Sequence, residues 1–201
     1  MNENDFSKRR SRMEFNAWVE EWQTRMATLD GISDVLIRDR LNKRMYEEAN
    51  PIYHYLRRVY GDGDVDIELP GDSGADDGRI LSKDGKVLER LQVSVAVEFN
   101  DWITRKKLAN KGLDVADQFA RRETLDDYRR TVNKIISKKL QLSYDKETTL
   151  LIPLSSNMVL ELQERFDAIV DKLDPIPHGH RFSRIILMEE AGFFWRDISG
   201  R

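Results

Sequence analysis

Cysteine is absent from the 201-residue chain, and histidine occurs only as His54, His178 and His180. The first absence excludes disulfides, thiolate metal sites and cysteine nucleophiles. The second leaves too little imidazole for a histidine-built centre, so any metal chemistry must rest on carboxylates, which suit Mg2+ or Mn2+. No uncharged apolar run approaches the roughly 20 residues that a membrane-spanning helix needs. The first 12 residues are polar, carry Lys8, Arg9, Arg10 and Arg12, and lack the apolar segment of a secretory signal. Together these gaps predict a cytoplasmic chain with no membrane partner. Missing as well are a glycine-rich phosphate loop and a serine–histidine triad, which removes support for nucleotide-driven and serine-hydrolase chemistry.

What is present is charge, in abundance and segregated. A net charge of -3 with 34% charged and 40% hydrophobic residues suits a globular domain with a sizeable core. Phe15, Trp18, Trp22, Met26 and Leu29 recur three or four apart, predicting an amphipathic helix within 1–30. Ser33 can cap a second helix through Ile37, Leu41, Met45 and Ala49, which Asn50-Pro51 is expected to interrupt before a third helix through Ile52, Leu56 and Val59. Val65, Ile67 and Leu69 then alternate with acids, the period of a half-buried strand. Strands follow at Ile80-Leu81 and Val87–Val97 around the turn Lys83-Asp84-Gly85-Lys86. Beyond them, helices are predicted over 101–112, 125–142 and 158–173, and strands over 148–154, 182–188 and 192–198. This order predicts an α/β domain over 31–201 with a central mixed β-sheet flanked by helices, preceded by an N-terminal helical extension.

The densest chemical signal is Gly61-Asp62-Gly63-Asp64-Val65-Asp66-Ile67-Glu68-Leu69, followed by Asp72, Asp76 and Asp77 with no basic residue before Arg79. Period two places Asp64, Asp66 and Glu68 on one strand face, where carboxylates can share a divalent cation. A solvated acidic turn explains the same composition. One hairpin later comes Leu91-Gln92-Val93-Ser94. Helix, Val65-Asp66-Ile67-Glu68-Leu69, hairpin and Leu91-Gln92-Val93-Ser94 together resemble the PD-(D/E)XK nuclease superfamily, the restriction-endonuclease-like fold. There a Pro-Asp dipeptide on one strand is followed, one hairpin on, by an acidic-x-Lys triplet. The resemblance implies that Asp66 binds metal, with Val65 in place of the proline, Gln92 at the second acidic position and Ser94 at the lysine position. It implies Mg2+ or Mn2+ held by Asp66, Asp64 and Gln92, a further glutamate from Glu47 or Glu48, and a substitute positive charge from Arg90, Lys106 or Lys107. Glu89 offers another register, and Glu98 shares the face of Gln92 and Ser94 if no bulge intervenes.

Base is concentrated between Arg105 and Lys146, where Arg130, Lys134 and Lys138 stand four apart and can track a phosphate backbone. An acidic metal pocket beside a basic face predicts a metal-dependent nuclease, an endonuclease or exonuclease, that hydrolyses phosphodiester bonds, with DNA favoured over RNA, in phage defence or DNA processing. The degenerate positions Gln92 and Ser94 leave a second function open. In it the fold is a catalytically inactive module that binds nucleic acid or a partner protein, or a second copy, through the Trp18 and Trp22 helix.

Overall fold

The computed structural model describes residues 3–27, 40–70, 76–96, 125–145, 147–154 and 163–200. Along the described chain run α1 (Glu3–Phe6), β1 (Arg10–Ser11), α2 (Arg12–Met26), α3 (Arg40–Arg44), a π-helical turn (Met45–Ala49) and α4 (Asn50–Val59). They are followed by β2 (Asp66–Glu68), β3 (Gly78–Leu81), β4 (Val87–Val93), α5 (Leu125–Leu140), β5 (Thr148–Leu154), α6 (Gln163–Asp171), β6 (Arg184–Glu189) and β7 (Trp195–Asp197).

The seven strands form one sheet whose spatial order is the chain order. Neighbours from β1 to β4 are antiparallel, β4, β5 and β6 run parallel, and β7 is antiparallel to β6. All seven residues of β5 are buried, as a central parallel strand covered on both faces requires. The two faces carry separate cores. One packs Ile67, Ile80, Leu91, Val93, Leu151 and Ile186 against α2 and the α3–α4 helix, through residues such as Val19, Trp22, Met45 and Leu56. The other packs Leu150, Ile152, Leu154, Ile185 and Leu187 against Val132 and Ile136 of α5 and Phe166 and Ile169 of α6. The molecule is therefore an α/β protein with a mixed sheet between helices. Among the described residues no helix is long and apolar enough to cross a membrane.

Two expectations change. The N-terminal stretch is not an appendage. Arg10 and Ser11 pair with Ile67 and Asp66, adding an edge strand to the sheet, and α2 shares the first core. A capping box starts α2: the Ser11 hydroxyl accepts the Glu14 N–H, and the Glu14 carboxylate accepts the Ser11 N–H. Trp22 donates its indole N–H to Asn42 at 3.2 Å, and Trp18 packs edge-on against Phe6 under the Arg10 guanidinium. Both tryptophans thus pack within the chain, the first of the two surfaces, own domain or partner, that their spacing calls for.

Nor does Asn50-Pro51 end the helix. Pro51 has no N–H to give to Glu47, so the helix widens there by one residue, and the Asn50 N–H reaches Met45 O across a π turn. Helical structure then continues to Val59. The predicted helix over 101–112 and the segment 158–162 lie outside the described residues. So do Asp72, Glu98, Lys106 and Lys107.

Candidate functional site

Register decides which carboxylates can meet. Asp66 stands opposite Leu81, and Leu81 opposite Val87. Gln92 lies five residues beyond Val87 on β4, or roughly 16 Å along the strand at about 3.3 Å per residue. Asp66 and Gln92 therefore do not share a site. Asp66 is ion-paired instead: the Arg9 guanidinium lies 2.7 Å away, and Lys83 Nζ donates to its Oδ1 at 2.7 Å while reaching Asp64 at 2.9 Å. Lys83 first, then Arg9, hold the Asp66 carboxyl below its ordinary pKa. Glu68 faces Arg79 at 3.7 Å. The carboxylates of Asp64, Asp66 and Glu68, the first two predicted as metal ligands, are all paired with the protein's own cations.

The residue that does reach Gln92 is Asp77, immediately before β3. Its N–H donates to Leu91 O at 2.8 Å, fixing its position beside β4. Its Oδ2 accepts the Val93 N–H at 2.7 Å and the Gln92 side-chain amide. Asp76, one residue earlier, takes a different course and pairs with Arg90 at 2.6 Å and Arg79 at 3.0 Å. Arg90, one substitute for the missing lysine, is thereby tied to Asp76 and to Asp145 at 3.0 Å.

Two further elements converge on Asp77. The π turn presents Glu48, whose Oε2 accepts Arg44 Nε at 3.0 Å, while the other end of Arg44 donates to Pro70 O at 2.8 Å. From the last turn of α5 comes Lys139. Burial raises the pKa of Glu48 against the pull of Arg44, and the Asp77 charge adds to the rise. Burial likewise raises Asp77, opposed by the Val93 N–H and then by the Lys139 charge. Lys139 is lowered by burial, with Asp77 acting in the opposite sense. Beyond it stands Tyr144, packed at a tilt on Phe182 at 4.9 Å between centroids, its pKa raised by burial and next by Asp77.

At the end of β4 the structure thus joins Asp77 to the Gln92 amide, and the Asp77 charge acts on the Glu48 carboxyl and the Lys139 ammonium. Such a donor set suits a hard divalent cation. Gln92 gives its N–H to Asp77, which leaves its carbonyl oxygen as the end a cation could use. Among the described residues no group of three or more His, Asp or Glu side chains is placed to hold a metal ion. Ser94 continues the β4 ladder, donating its N–H to Leu151 O at 2.9 Å, with Ala96 next at 2.8 Å to Pro153 O. Parity keeps Ser94 on the Gln92 side.

Glu89, the other register, faces the opposite core. It accepts Tyr55 OH at 2.8 Å, Tyr60 OH at 2.7 Å and the Thr149 hydroxyl. Burial and then Glu89 itself raise Tyr55, and burial with the same hydrogen bond raises Tyr60. Glu89 is a cross-link between α4 and the sheet. On α5, Arg130, Lys134 and Lys138 form an exposed row, with Arg130 paired to Asp127.

Sequence patterning selected Glu48, Gln92 and Asp66, and the fold sets Asp77 in place of Asp66 beside Gln92. Asp77 was visible as the acid directly preceding the Gly78 strand, and Lys139 was hidden within a basic run. No protein-family model, no curated protein and no solved structure matches the chain.

Proposed function

We propose that the chain is a metal-dependent nuclease with a restriction-endonuclease-like core, in which Asp77 takes the aspartate role that the sequence pattern gave to Asp66. The observation that carries this is the Asp77 carboxylate bonded to Gln92 and to the Val93 N–H at the end of β4, with the charges of Glu48 and Lys139 within electrostatic reach of Asp77. The order helix, β2, hairpin-joined β3 and β4, helix and parallel β5 supports the same core.

Glu48 and Asp77 would hold Mg2+ or Mn2+, with the Gln92 carbonyl oxygen as a neutral third donor. Such an ion, when bound, supplies Lewis acidity toward a phosphodiester and lowers the pKa of a water. The chain's own residues do the remainder. Lys139 stands where an ammonium can offset charge gathering on the scissile phosphate, the part that Ser94 cannot play. Arg44 fixes Glu48 by a bond that also anchors Pro70. The exposed row Arg130, Lys134 and Lys138 on α5 supplies sequence-independent attraction for a phosphate backbone. The substrate in this reading is DNA before RNA, and the compartment cytoplasmic.

A cleavage assay on plasmid and single-stranded DNA and on RNA, with Mg2+ or Mn2+, tests the proposal. Asp77→Ala should abolish cleavage while Asp66→Ala retains it. Equal cleavage by wild type and Asp77→Ala would remove the site. The neutral Gln92 and Ser94 favour a second reading, a catalytically inactive nucleic-acid-binding module. It predicts DNA binding that neither metal nor Asp77→Ala alters, with no cleavage of any substrate.

A further inference from the structure

The turn between β6 and β7 holds an aromatic ring out in water by a rigid backbone. Buried Glu189 accepts the Ala191 N–H at 2.8 Å and the Phe193 N–H at 3.4 Å, and its own N–H donates to Phe194 O at 2.9 Å. Gly192 sits at φ +76°, where a Cβ would stand 2.5 Å from His54 Nδ1, so the turn is seated directly on α4. Phe193 nevertheless remains 76% exposed. A large apolar side chain on a mobile loop would explain itself, but one on a clamped turn is presented.

Beside Phe193 opens a cleft of about 460 Å3 lined by Arg58, Gln163, Phe194, Trp195 and Arg196, together with two acids. That volume is in the range of small-ligand sites. The Arg58 guanidinium lies 5.1 Å from the Trp195 ring, and Arg184 lies 5.8 Å from the same ring. Both acids are matched: Asp167 pairs with Arg196 at 2.6 Å and Asp197 with Arg184 at 3.0 Å. Arg58 is positive charge in excess of that balance. Aromatic faces for a planar ring, with a guanidinium at the rim for an anion, are the two halves of nucleotide recognition.

We propose that this cleft is a nucleotide-binding site, stacking a base on the exposed Phe193 ring with its phosphate toward Arg58, which Trp195 holds from below. The nucleotide can be free or one unit of a nucleic-acid strand. The site lies on β7, three strands from β4, or roughly 14 Å across the sheet at about 4.8 Å per strand. It stands on its own residues and requires neither a metal ion nor hydrolysis.

Binding of AMP by calorimetry and of a labelled thymidine oligonucleotide by anisotropy, both on the full chain in EDTA, tests it. Phe193→Ala should weaken binding about tenfold, the loss of one stacking partner. Phe193→Trp should keep it, and Arg58→Ala should weaken it and flatten its salt dependence. Because Phe193 is exposed, its replacement does not threaten the fold. Binding of AMP would identify a free nucleotide as the ligand, and binding of the oligonucleotide alone would identify a strand. Asp77→Ala should leave either affinity unchanged, which separates this site from the hydrolytic one. No binding of either probe would overturn the proposal, as would affinity insensitive to Phe193→Ala. So would a Phe193-dependent dimer in sedimentation, or equal Phe193-dependent binding of an acidic peptide.

Discussion

The protein gathers carboxylates in two places and treats them in opposite ways. Along β2, Asp64, Asp66 and Glu68 face Lys83, Arg9 and Arg79, and Asp66 is held below its ordinary pKa by those cations. Around the end of β4, Glu48 and Asp77 are half-buried and both are pushed up by desolvation, although the charges of Arg44 and Lys139 oppose it. The richer acidic segment is the quieter one. What distinguishes a candidate site is charge that burial leaves incompletely compensated, and local acid density is a poor guide to that.

The largest test of this contrast is catalytic. In a Mg2+-dependent cleavage assay, Asp77→Ala should lose at least about a hundredfold in rate, the scale of removing a group that supports transition-state charge. Asp66→Ala should stay within about twofold, since Asp66 lies away from Gln92 and an ion pair to the exposed Arg9 and Lys83 contributes little. Comparable losses from the two variants would erase the distinction.

Next comes pH. Folding raises the Glu48 and Asp77 pKa values, so their stabilising contribution is fully present below the ordinary carboxylate range and is lost as pH rises through the raised values. Asp66 has the opposite sign: its contribution is present above its ordinary pKa and is lost as pH falls through the lowered one. Metal-free thermal melts should therefore gain stability on mild acidification from neutrality, and Glu48→Gln with Asp77→Asn should remove that gain. Mg2+, by favouring the ionised pair, should cancel it in the wild type. A gain that persists in the double variant would break the comparison.

Glu89 is the intermediate case, a buried carboxylate whose three hydroxyl donors satisfy it. Tyr55→Phe removes one donor and should cost about 1–3 kcal/mol in denaturant unfolding. Smaller again is Asp66→Asn, for which solvent screening limits the expected loss to about 0–1 kcal/mol. A larger loss for Asp66→Asn than for Tyr55→Phe would invert the ranking.

Much of the fold was legible because its signals are local. Alternation at Val65, Ile67 and Leu69, the turn at Asp84-Gly85 and the apolar run of Thr148–Leu154 each report their own backbone, and all three lie where strands or turns form. Strand β1 was hidden because two residues, Arg10 and Ser11, carry no period. The site was half legible for a related reason. Gln92 and Glu48 are marked by their own elements, whereas seeing that Asp77 and not Asp66 lies beside Gln92 requires the register of three strands, including an irregularity between Ile80 and Leu81 that no side-chain pattern announces.

The π turn ahead of Pro51 gives Glu48 a position that a regular helix would deny it. In terms of helical phase, the extra residue rotates everything on one side by about 100° relative to the other, the angle one residue occupies at 3.6 per turn. Glu48 is therefore turned toward Arg44 and out of the core while Ile52 and Leu56, further along, still face it. The proline acts as a phase shifter, setting an azimuth for one carboxylate independently of the packing that holds the helix in place.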